Sequence, residues 1–167
     1  MDNNVRLVNF LNMPYDLRLE SFKWRTSPHV DKYFQLHNLT LDGHRRWLAT
    51  MIGAQPRTVA FFIMYGDRPV GATFFQKIDW GAGTADWGIY IHDTTMRGHG
   101  IGSRALAQSL QYARDEMKLH RVFLEVLSTN SAARRIYENA GFQKIAQRPD
   151  GVLQYVFDIK GKEKCHL

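Results

Sequence analysis

The sequence predicts an α/β fold in a single domain, and three observations predict it. Apolar residues recur at helical spacing in the first third of the chain and again between about residues 101 and 140. In the middle and near the C-terminus, β-branched and aromatic residues gather into runs of strand length. Short turn-forming clusters separate these runs, and no repeat, low-complexity block or Pro/Ser-rich linker divides the chain. Residues 1–160 are therefore read as one domain and residues 161–167 as a polar tail.

Each element has its own signal. Val5 to Phe10 alternates weakly, as a first strand, and Tyr15 to Arg25 reads as an amphipathic helix. Ser27-Pro28 opens a second helix: the serine as N-cap satisfies one orphan donor, and proline at the first helical position removes another. Thr40 caps a third helical segment, whose Leu41, His44, Trp47, Leu48 and Met51 share a face. Thr58 to Tyr65, Pro69 to Ile78 and Thr84 to His92 follow, separated by Gly66-Asp67 and Asp79-Trp80-Gly81, as an antiparallel meander. After a Gly-rich loop comes a long helix from Ile101 to Met117, with Ile101, Ala105, Ala113 and Met117 near one face. A strand from Arg121 to Leu127 precedes a capped helix from Asn130 to Asn139, ended by Gly141 in the left-handed conformation. Two last strands, Phe142 to Gln147 and Val152 to Ile159, turn at Pro149-Asp150-Gly151.

Composition narrows the function classes. The 167 residues are 44% hydrophobic and 23% charged, proportions of a globular chain rather than a disordered, collagen-like or membrane one. Cys165 is the single cysteine, so neither a disulfide framework nor a thiolate metal site can form; standing third from the end, it does not fit a prenylation motif either. The N-terminal MDNNVRLVNFLN holds an early Asp and no apolar run of signal-peptide length, and no stretch approaches a membrane span, so a cytoplasmic location is expected by default. The formal net charge of +6 suits nucleic acid or a small molecule carrying several phosphates, and no run of Lys and Arg selects nucleic acid. Lys160, Lys162 and Lys164 read as a solvated basic tail. His29, His37, His44, His92, His99, His120 and His166 lie scattered without a ligand-pair spacing, so no metal site is expected.

The loop Met96-Arg97-Gly98-His99-Gly100-Ile101-Gly102 carries the sharpest chemical signal. Its three glycines let the backbone turn tightly and approach a ligand with no Cβ in the way. Placed between a strand and a long helix, it gathers free N–H groups at the helix's positive end, reinforced by Arg97 and Arg104, as a cradle for an anion. The spacing matches neither the dinucleotide fingerprint G-x-G-x-x-G nor a P-loop, which has Lys then Ser or Thr after its last glycine where Gly102 is followed by Ser103-Arg104. By itself such a loop is equally well a plain strand-to-helix turn.

From Trp87 to Phe142, WGIYIHDTTMRGHGIGSRAL, then RVFLEV, then NSAARRIYENAGF, the chain resembles the GNAT superfamily of acyl-CoA-dependent N-acyltransferases. The signature of that family is Arg or Gln, two residues, Gly, one residue, then Gly or Ala, and it falls on Arg97, Gly100 and Gly102; the later Asn, Tyr and Gly-Phe fall on Asn130, Tyr137 and Gly141-Phe142. The resemblance implies a mixed, mostly antiparallel twisted sheet of about seven strands with helices on both sides. It implies acetyl-CoA as co-substrate, with Arg97, Gly98, His99, Gly100, Ile101 and Gly102 holding its pyrophosphate, the backbone of Ile89, Tyr90 and Ile91 pairing with the pantetheine arm, and Asn130 touching the same arm. The strands 84–92 and 121–127 would splay apart to admit it.

Acetyl transfer needs an unprotonated amine, a stabilised oxyanion and a departing thiolate. Tyr137 lies two helical turns from Asn130 and shares its face, which makes it the candidate general acid; otherwise it is a core tyrosine with a backbone partner. Glu125 stands in an apolar strand, where burial would raise its pKa, and is the candidate base, directly or through water; alternatively it is a strand-end carboxylate or one paired with an arginine. A backbone N–H of residues 89–91 is expected to serve the oxyanion. Direct attack by the amine is expected, because Cys165 is too peripheral to be a nucleophile.

The N-terminal half, with Trp24-Arg25-Thr26, Ser27-Pro28, Tyr33-Phe34 and Leu41-Asp42-Gly43-His44 before Trp47, resembles the branch that acetylates a UDP-linked 4-amino-sugar on the way to pseudaminic acid. Thr26 and Gly43 stand where that branch has asparagine and glutamate. The resemblance implies a nucleotide-sugar acceptor held by Arg25, Tyr33, Phe34, His44 and Trp47, although each aromatic is also a candidate for plain core packing. N-terminal acetylation of a protein, or a noncatalytic CoA- or nucleic-acid-binding module, are the competing readings. Exposed edge strands could pair two copies as a homodimer.

Overall fold

The strand from Arg121 to Leu127 pairs with a neighbour for only three residues before the two part, and the rest of the sheet is arranged around that gap. The computed structural model describes residues 4–159; residue 160, the tail 161–167 and with it Cys165 lie outside the described residues. Among these residues are strands β1 (Val5–Asn9), β2 (Val59–Tyr65), β3 (Arg68–Asp79), β4 (Thr84–Ile91), β5 (Arg121–Leu127), β6 (Gln143–Gln147) and β7 (Val152–Asp158). The helices are α1 (Tyr15–Thr26), α2 (Pro28–Asp31), α3 (Leu41–Ala49), α4 (Ile101–Asp115) and α5 (Ser131–Ala140).

The strands form one seven-stranded sheet in the order β1-β2-β3-β4-β5-β7-β6. Every pairing is antiparallel except β4 with β5, which is parallel because the chain crosses over through α4 to return. The expected meander is β2-β3-β4, and the mixed, mostly antiparallel sheet of seven strands is the one the family resemblance implied.

Strand β2, VAFFIMY, is buried at its first six positions because both faces of the sheet are covered. Ala60, Phe62 and Met64 pack with Phe10, Val30, Leu48 and Phe74 beneath α1, α2 and α3. Phe61 belongs to the opposite layer, with Phe75, Trp87, Leu106 and Tyr137 beneath α4 and α5. Phe62 stacks on Phe10, ring centroids 3.9 Å apart, and meets Trp24 edge-on at 6.0 Å.

Thr84, Ala85 and Asp86 pair with Arg121, Val122 and Phe123, but β4 continues to Ile91 and β5 to Leu127 without further partners between them. On its other edge β5 is paired throughout by β7, so the opening lies between β4 and β5 alone. Gly88 stands two residues past the last paired residue, Asp86, and a Cβ there would come within 2.6 Å of the Phe74 ring. The glycine lets that ring lie across β4 at the mouth of the gap.

Several local expectations change in detail. Ser27 occupies the N-cap of α2 with Pro28 behind it, but its hydroxyl makes no capping bond; it donates to the Trp24 carbonyl at 2.6 Å, closing α1 instead, because one residue serves both helix ends. Thr40 caps α3 as expected, accepting from the Gly43 N–H at 3.0 Å. Phe10 leaves β1 for a short 3-10 turn and is fully buried, and Phe142 is buried just ahead of β6. Helix α4 ends at Asp115, yet Met117 stays in the core beyond it. Gly141 does close α5 in the left-handed conformation, φ 104°.

Truncating Phe62 to alanine removes the stack on Phe10 and leaves a cavity under three helices, so Phe62→Ala is expected to cost about 3–5 kcal/mol. The urea midpoint reads it; a loss under about 1 kcal/mol would show that this layer is not the core described.

Candidate active site

Strand β4 ends at Ile91, and Asp93 bends the chain: its Oδ1 accepts from the Thr95 N–H at 3.0 Å and from the Thr95 hydroxyl at 2.6 Å. Its other oxygen meets Arg68 at 3.1 Å, and these bonds hold the Asp93 carboxyl below its ordinary pKa. Gly98 and Gly100 then take left-handed φ values of 78° and 74°, which few residues with a Cβ adopt. Gly100 is the N-cap of α4 and has no side chain to offer, whereas Thr40 caps α3 and Asn130 caps α5, accepting from Ala133 N–H at 3.3 Å. The first amides of the 15-residue α4 are thus left without side-chain partners at its positive end.

Gly102 differs from the other two glycines. It lies inside the first turn of α4 without a left-handed φ, and a Cβ there would meet only Ile136 Cδ1 at 3.6 Å, ordinary contact. Nothing in the chain demands a glycine at that place. Gly98, Gly100 and Gly102 together line a cavity of about 360 Å³, whose other walls are Ile89, Tyr90 and Ile91 of β4 and Asn130, Ile136 and Tyr137 from α5.

Tyr137 is buried, with Trp87 edge-on at 6.0 Å and Phe142 at 6.0 Å. Burial pushes its phenol well above the ordinary tyrosine range, so it keeps its proton, and its hydroxyl makes no hydrogen bond among the described residues. Tyr137 is thus the core tyrosine of the alternative reading, but without the backbone partner that reading gave it. Tyr90 on the opposite wall is likewise buried and held protonated, but its hydroxyl donates to the Ser21 carbonyl at 3.4 Å.

A second cavity of about 440 Å³ opens on the α1–α3 side of the gap. Phe74, Gln76, Trp87 and Gly88 line it from β3 and β4, and Phe123, Leu124, Glu125 and Gln154 from β5 and β7. Lys77, also in the wall, sits at the irregularity between Gln76 and Asp79 with φ 50°, a conformation costly for a residue with a Cβ, and reaches Asp86 at 3.4 Å. Phe34 lines both cavities.

Glu125 corrects the expected burial and meets the alternative, a carboxylate paired with an arginine. It faces this second cavity, but it is exposed rather than buried, and its Oε1 accepts from Arg148 at 3.1 Å and Gln154 at 3.1 Å. The alternation of β5 turns it to the solvated face while Leu124 and Val126 enter the core.

Three acceptor candidates are spent elsewhere. His44 is buried, its Nε2 within 2.9 Å of the Arg18 carbonyl and 3.2 Å of the Ser21 hydroxyl, with burial lowering its pKa; it ties α3 to α1 and does not face the cavity. Trp47 packs edge-on against Phe10 and Phe74. Arg25 is paired with Asp31 at 2.8 Å and donates to the Leu36 carbonyl at 3.0 Å. Of the others, Tyr33 joins the first cavity and Phe34 both. Arg97 lines the first cavity while donating to the His29 carbonyl at 3.2 Å, so it also ties the loop to α2; the His99 side chain does not contribute to the wall. A further hollow of about 730 Å³ runs between α4, α5 and β7, away from the glycine loop.

Residues 10–143 match the acetyltransferase (GNAT) domain family. The chain belongs to this family. GNAT acetyltransferases draw their acyl group from acetyl-CoA. A probable N-acetyltransferase of Bacillus subtilis, YjcK, is 36% identical over 106 residues, which are 63% of this chain and 55% of that protein; the chain spans about half the length of that relative. Acetyltransferase PseH of Campylobacter jejuni is 21% identical over 139 residues, 83% of this chain and 84% of PseH. Among solved structures, spermidine N-acetyltransferase of Vibrio cholerae in complex with CoA and spermine superposes with a TM-score of 0.81 at 16% identity, over 94% of this chain and 96% of that one. PseH in complex with acetyl coenzyme A gives 0.70 at 17% identity, over 93% and 99%. Identities this low show a common GNAT fold.

The first cavity fits a CoA thioester on its own geometry. Uncapped amides at Gly100, a Gly102 that the chain itself does not require, and a β4 edge with no strand beside it are what a pyrophosphate and an extended amide-bearing arm would occupy. Among the described residues no cluster of His, Cys, Asp and Glu could hold a metal, and no helix is long and apolar enough to cross a membrane.

Gly102→Ala is expected to leave folding intact or stabilise it by up to about 1 kcal/mol, since alanine suits a helix better than glycine. Affinity for CoA should nevertheless fall about tenfold, equivalent to about 1.4 kcal/mol. Calorimetric titration with CoA beside a thermal melt separates the two; unchanged affinity would mean that the glycine does not face the ligand.

Proposed function

We propose that the chain is an N-acetyltransferase that moves acetyl from acetyl-CoA to a primary amine by direct attack, the amine being the 4-amino group of a UDP-linked 4-amino-4,6-dideoxy sugar. The observation that carries the transferase reading is a pair of cavities that share Phe34 and take neighbouring stretches of β4, Asp86 to Gly88 in one and Ile89 to Ile91 in the other, with the unpartnered Tyr137 hydroxyl on the donor side. Acetyl-CoA supplies an activated thioester. Tyr137, kept protonated by burial, gives its proton to the departing sulfur. The backbone of residues 89–91 lines the donor cavity at the unpaired edge of β4 and offers N–H groups toward the carbonyl oxygen. Glu125, at the acceptor wall and open to solvent, attracts the incoming ammonium and takes its proton through water.

Three things support the nucleotide sugar. The alignment with PseH takes in most of both chains. The net charge of +6 favours an anionic acceptor, and Lys77 brings a cation to the cavity wall. Phe123 and the edges of Phe34 and Phe74 offer apolar surface for a deoxy-sugar. The residues that pointed to this substrate in the sequence, Arg25, His44 and Trp47, support it less directly, being engaged in packing. CoA release measured with a UDP-amino-sugar, with peptides, with spermidine and with no amine discriminates. Turnover on peptides alone would replace the sugar by a protein N-terminus, and none on any amine would leave a CoA-binding module.

Tyr137→Phe is expected to lower kcat by about 10²–10⁴-fold with acetyl-CoA affinity unchanged. Steady-state kinetics test it, and an unaltered kcat would remove Tyr137 from the reaction. Glu125→Gln should lower kcat/KM about tenfold near neutral pH, the loss shrinking as pH rises and the free amine predominates in solution. A deficit that stays constant with pH would exclude a proton-accepting role.

A further inference from the structure

Residues 33–35 run along the seam of the two cavities: Tyr33 lines the donor side, Phe34 both, and Gln35 the acceptor side. The Phe34 ring stacks at 6.5 Å on Phe74, an acceptor-side residue, and meets Tyr90, a donor-side residue, edge-on at 6.3 Å. Yet the segment 32–40 contains no helix or strand. Backbone hydrogen bonds reach Phe34, whose N–H donates to the Asp31 carbonyl at 3.0 Å, and none follows until α3 begins. Asn38 even takes a left-handed φ of 58°.

Side chains do the fastening. Arg25, in the last turn of α1, lays its guanidinium carbon 3.8 Å above the centre of the Phe34 ring. Its Nη1 donates to Asp31 at 2.8 Å and its Nη2 to the Leu36 carbonyl at 3.0 Å. The other Asp31 oxygen meets His37 Nδ1 at 2.7 Å, and these partners hold the Asp31 carboxyl below its ordinary pKa. The Arg25 side chain is only 12% exposed. One planar cation therefore grips the loop before and after Phe34 and covers the ring itself, three tasks that a lysine ammonium cannot perform together.

We propose, building on the transferase reading above, that Arg25 is a positioning residue: through Phe34 it fixes the wall shared by the donor and acceptor cavities. It thereby sets where the amine stands relative to the thioester, and it does so without touching the acceptor. Small displacements of such a wall change the approach geometry on which transfer depends.

The test compares Arg25→Lys, Phe34→Leu and the double variant, each checked by thermal melt. Arg25→Lys is expected to raise the KM of the amine about tenfold while acetyl-CoA affinity stays within about twofold. In the Phe34→Leu background the same change should add little, because its route is already lost. Asp31→Asn, which removes the anion holding the guanidinium, should reproduce the single-variant effect. Additive losses confined to phosphate-bearing acceptors would overturn the proposal, since Arg25 would then be gripping the acceptor. Equal loss of donor affinity, or a collapse of the melt in both Arg25→Lys and Asp31→Asn, would overturn it as well. Should the wild-type chain acetylate no amine, the proposed function fails by itself. Hydrogen exchange over residues 32–40 then decides the clamp: faster exchange in Arg25→Lys with CoA affinity kept supports it, and unchanged exchange overturns it.

Discussion

The ladder between β4 and β5 stops after Asp86 and Phe123, and the proposed transferase site depends on that stop. A paired edge would have no backbone amides to offer an extended ligand and no room between the strands for a thioester. The gap persists because each strand is held firmly on its other side, β4 by β3 and β5 by β7. The N-terminus of α4 and Tyr137 of α5 line the cavity beside the unpaired stretch of β4. Gly88 and Phe74 shape the opposite mouth. In the proposed reading, binding and chemistry share this one opening in the sheet, whose two faces carry layers of helices.

What was legible in the sequence divides along a physical line. The element order and nearly all boundaries were readable because they rest on local periodicity and on glycine, proline and cap residues, as Thr40 and Gly141 show. The donor loop was readable because a site made of backbone must use glycines, and glycines leave a visible mark. Tyr137 was placed by helical spacing from Asn130, and both do reach the same cavity.

The acceptor side was much less legible. Its wall is assembled from β3, β4, β5 and β7 and the segment after α2, so its members, such as Gln76, Lys77, Phe123 and Gln154, carry no common spacing. Glu125 does line this wall, but its exposure follows from which face of β5 it takes, and its partner Arg148 comes from the β6–β7 turn. His44, Trp47 and Arg25 were chosen as polar or aromatic residues on promising helices. Their side chains instead meet groups on α1, on the sheet and on the segment after α2, contacts that only the packed helices reveal.

Arg25 shows why residue type alone misleads at such a site. A cation beside aromatic residues suits a diphosphate, and equally suits a carboxylate, a carbonyl and a ring face supplied by the chain itself. Here the internal partners are already in place: Asp31, Leu36 and Phe34 surround the guanidinium before any acceptor arrives. Releasing it to grip a substrate phosphate would leave Asp31 with His37 alone and would unfasten the segment that forms the shared wall. An arginine so engaged influences the acceptor most economically through the wall it holds. The proposed donor site is thereby a property of backbone, fixed by glycines and a helix end, whereas the proposed acceptor site is a property of side chains braced against one another, whose specificity could shift without disturbing the fold.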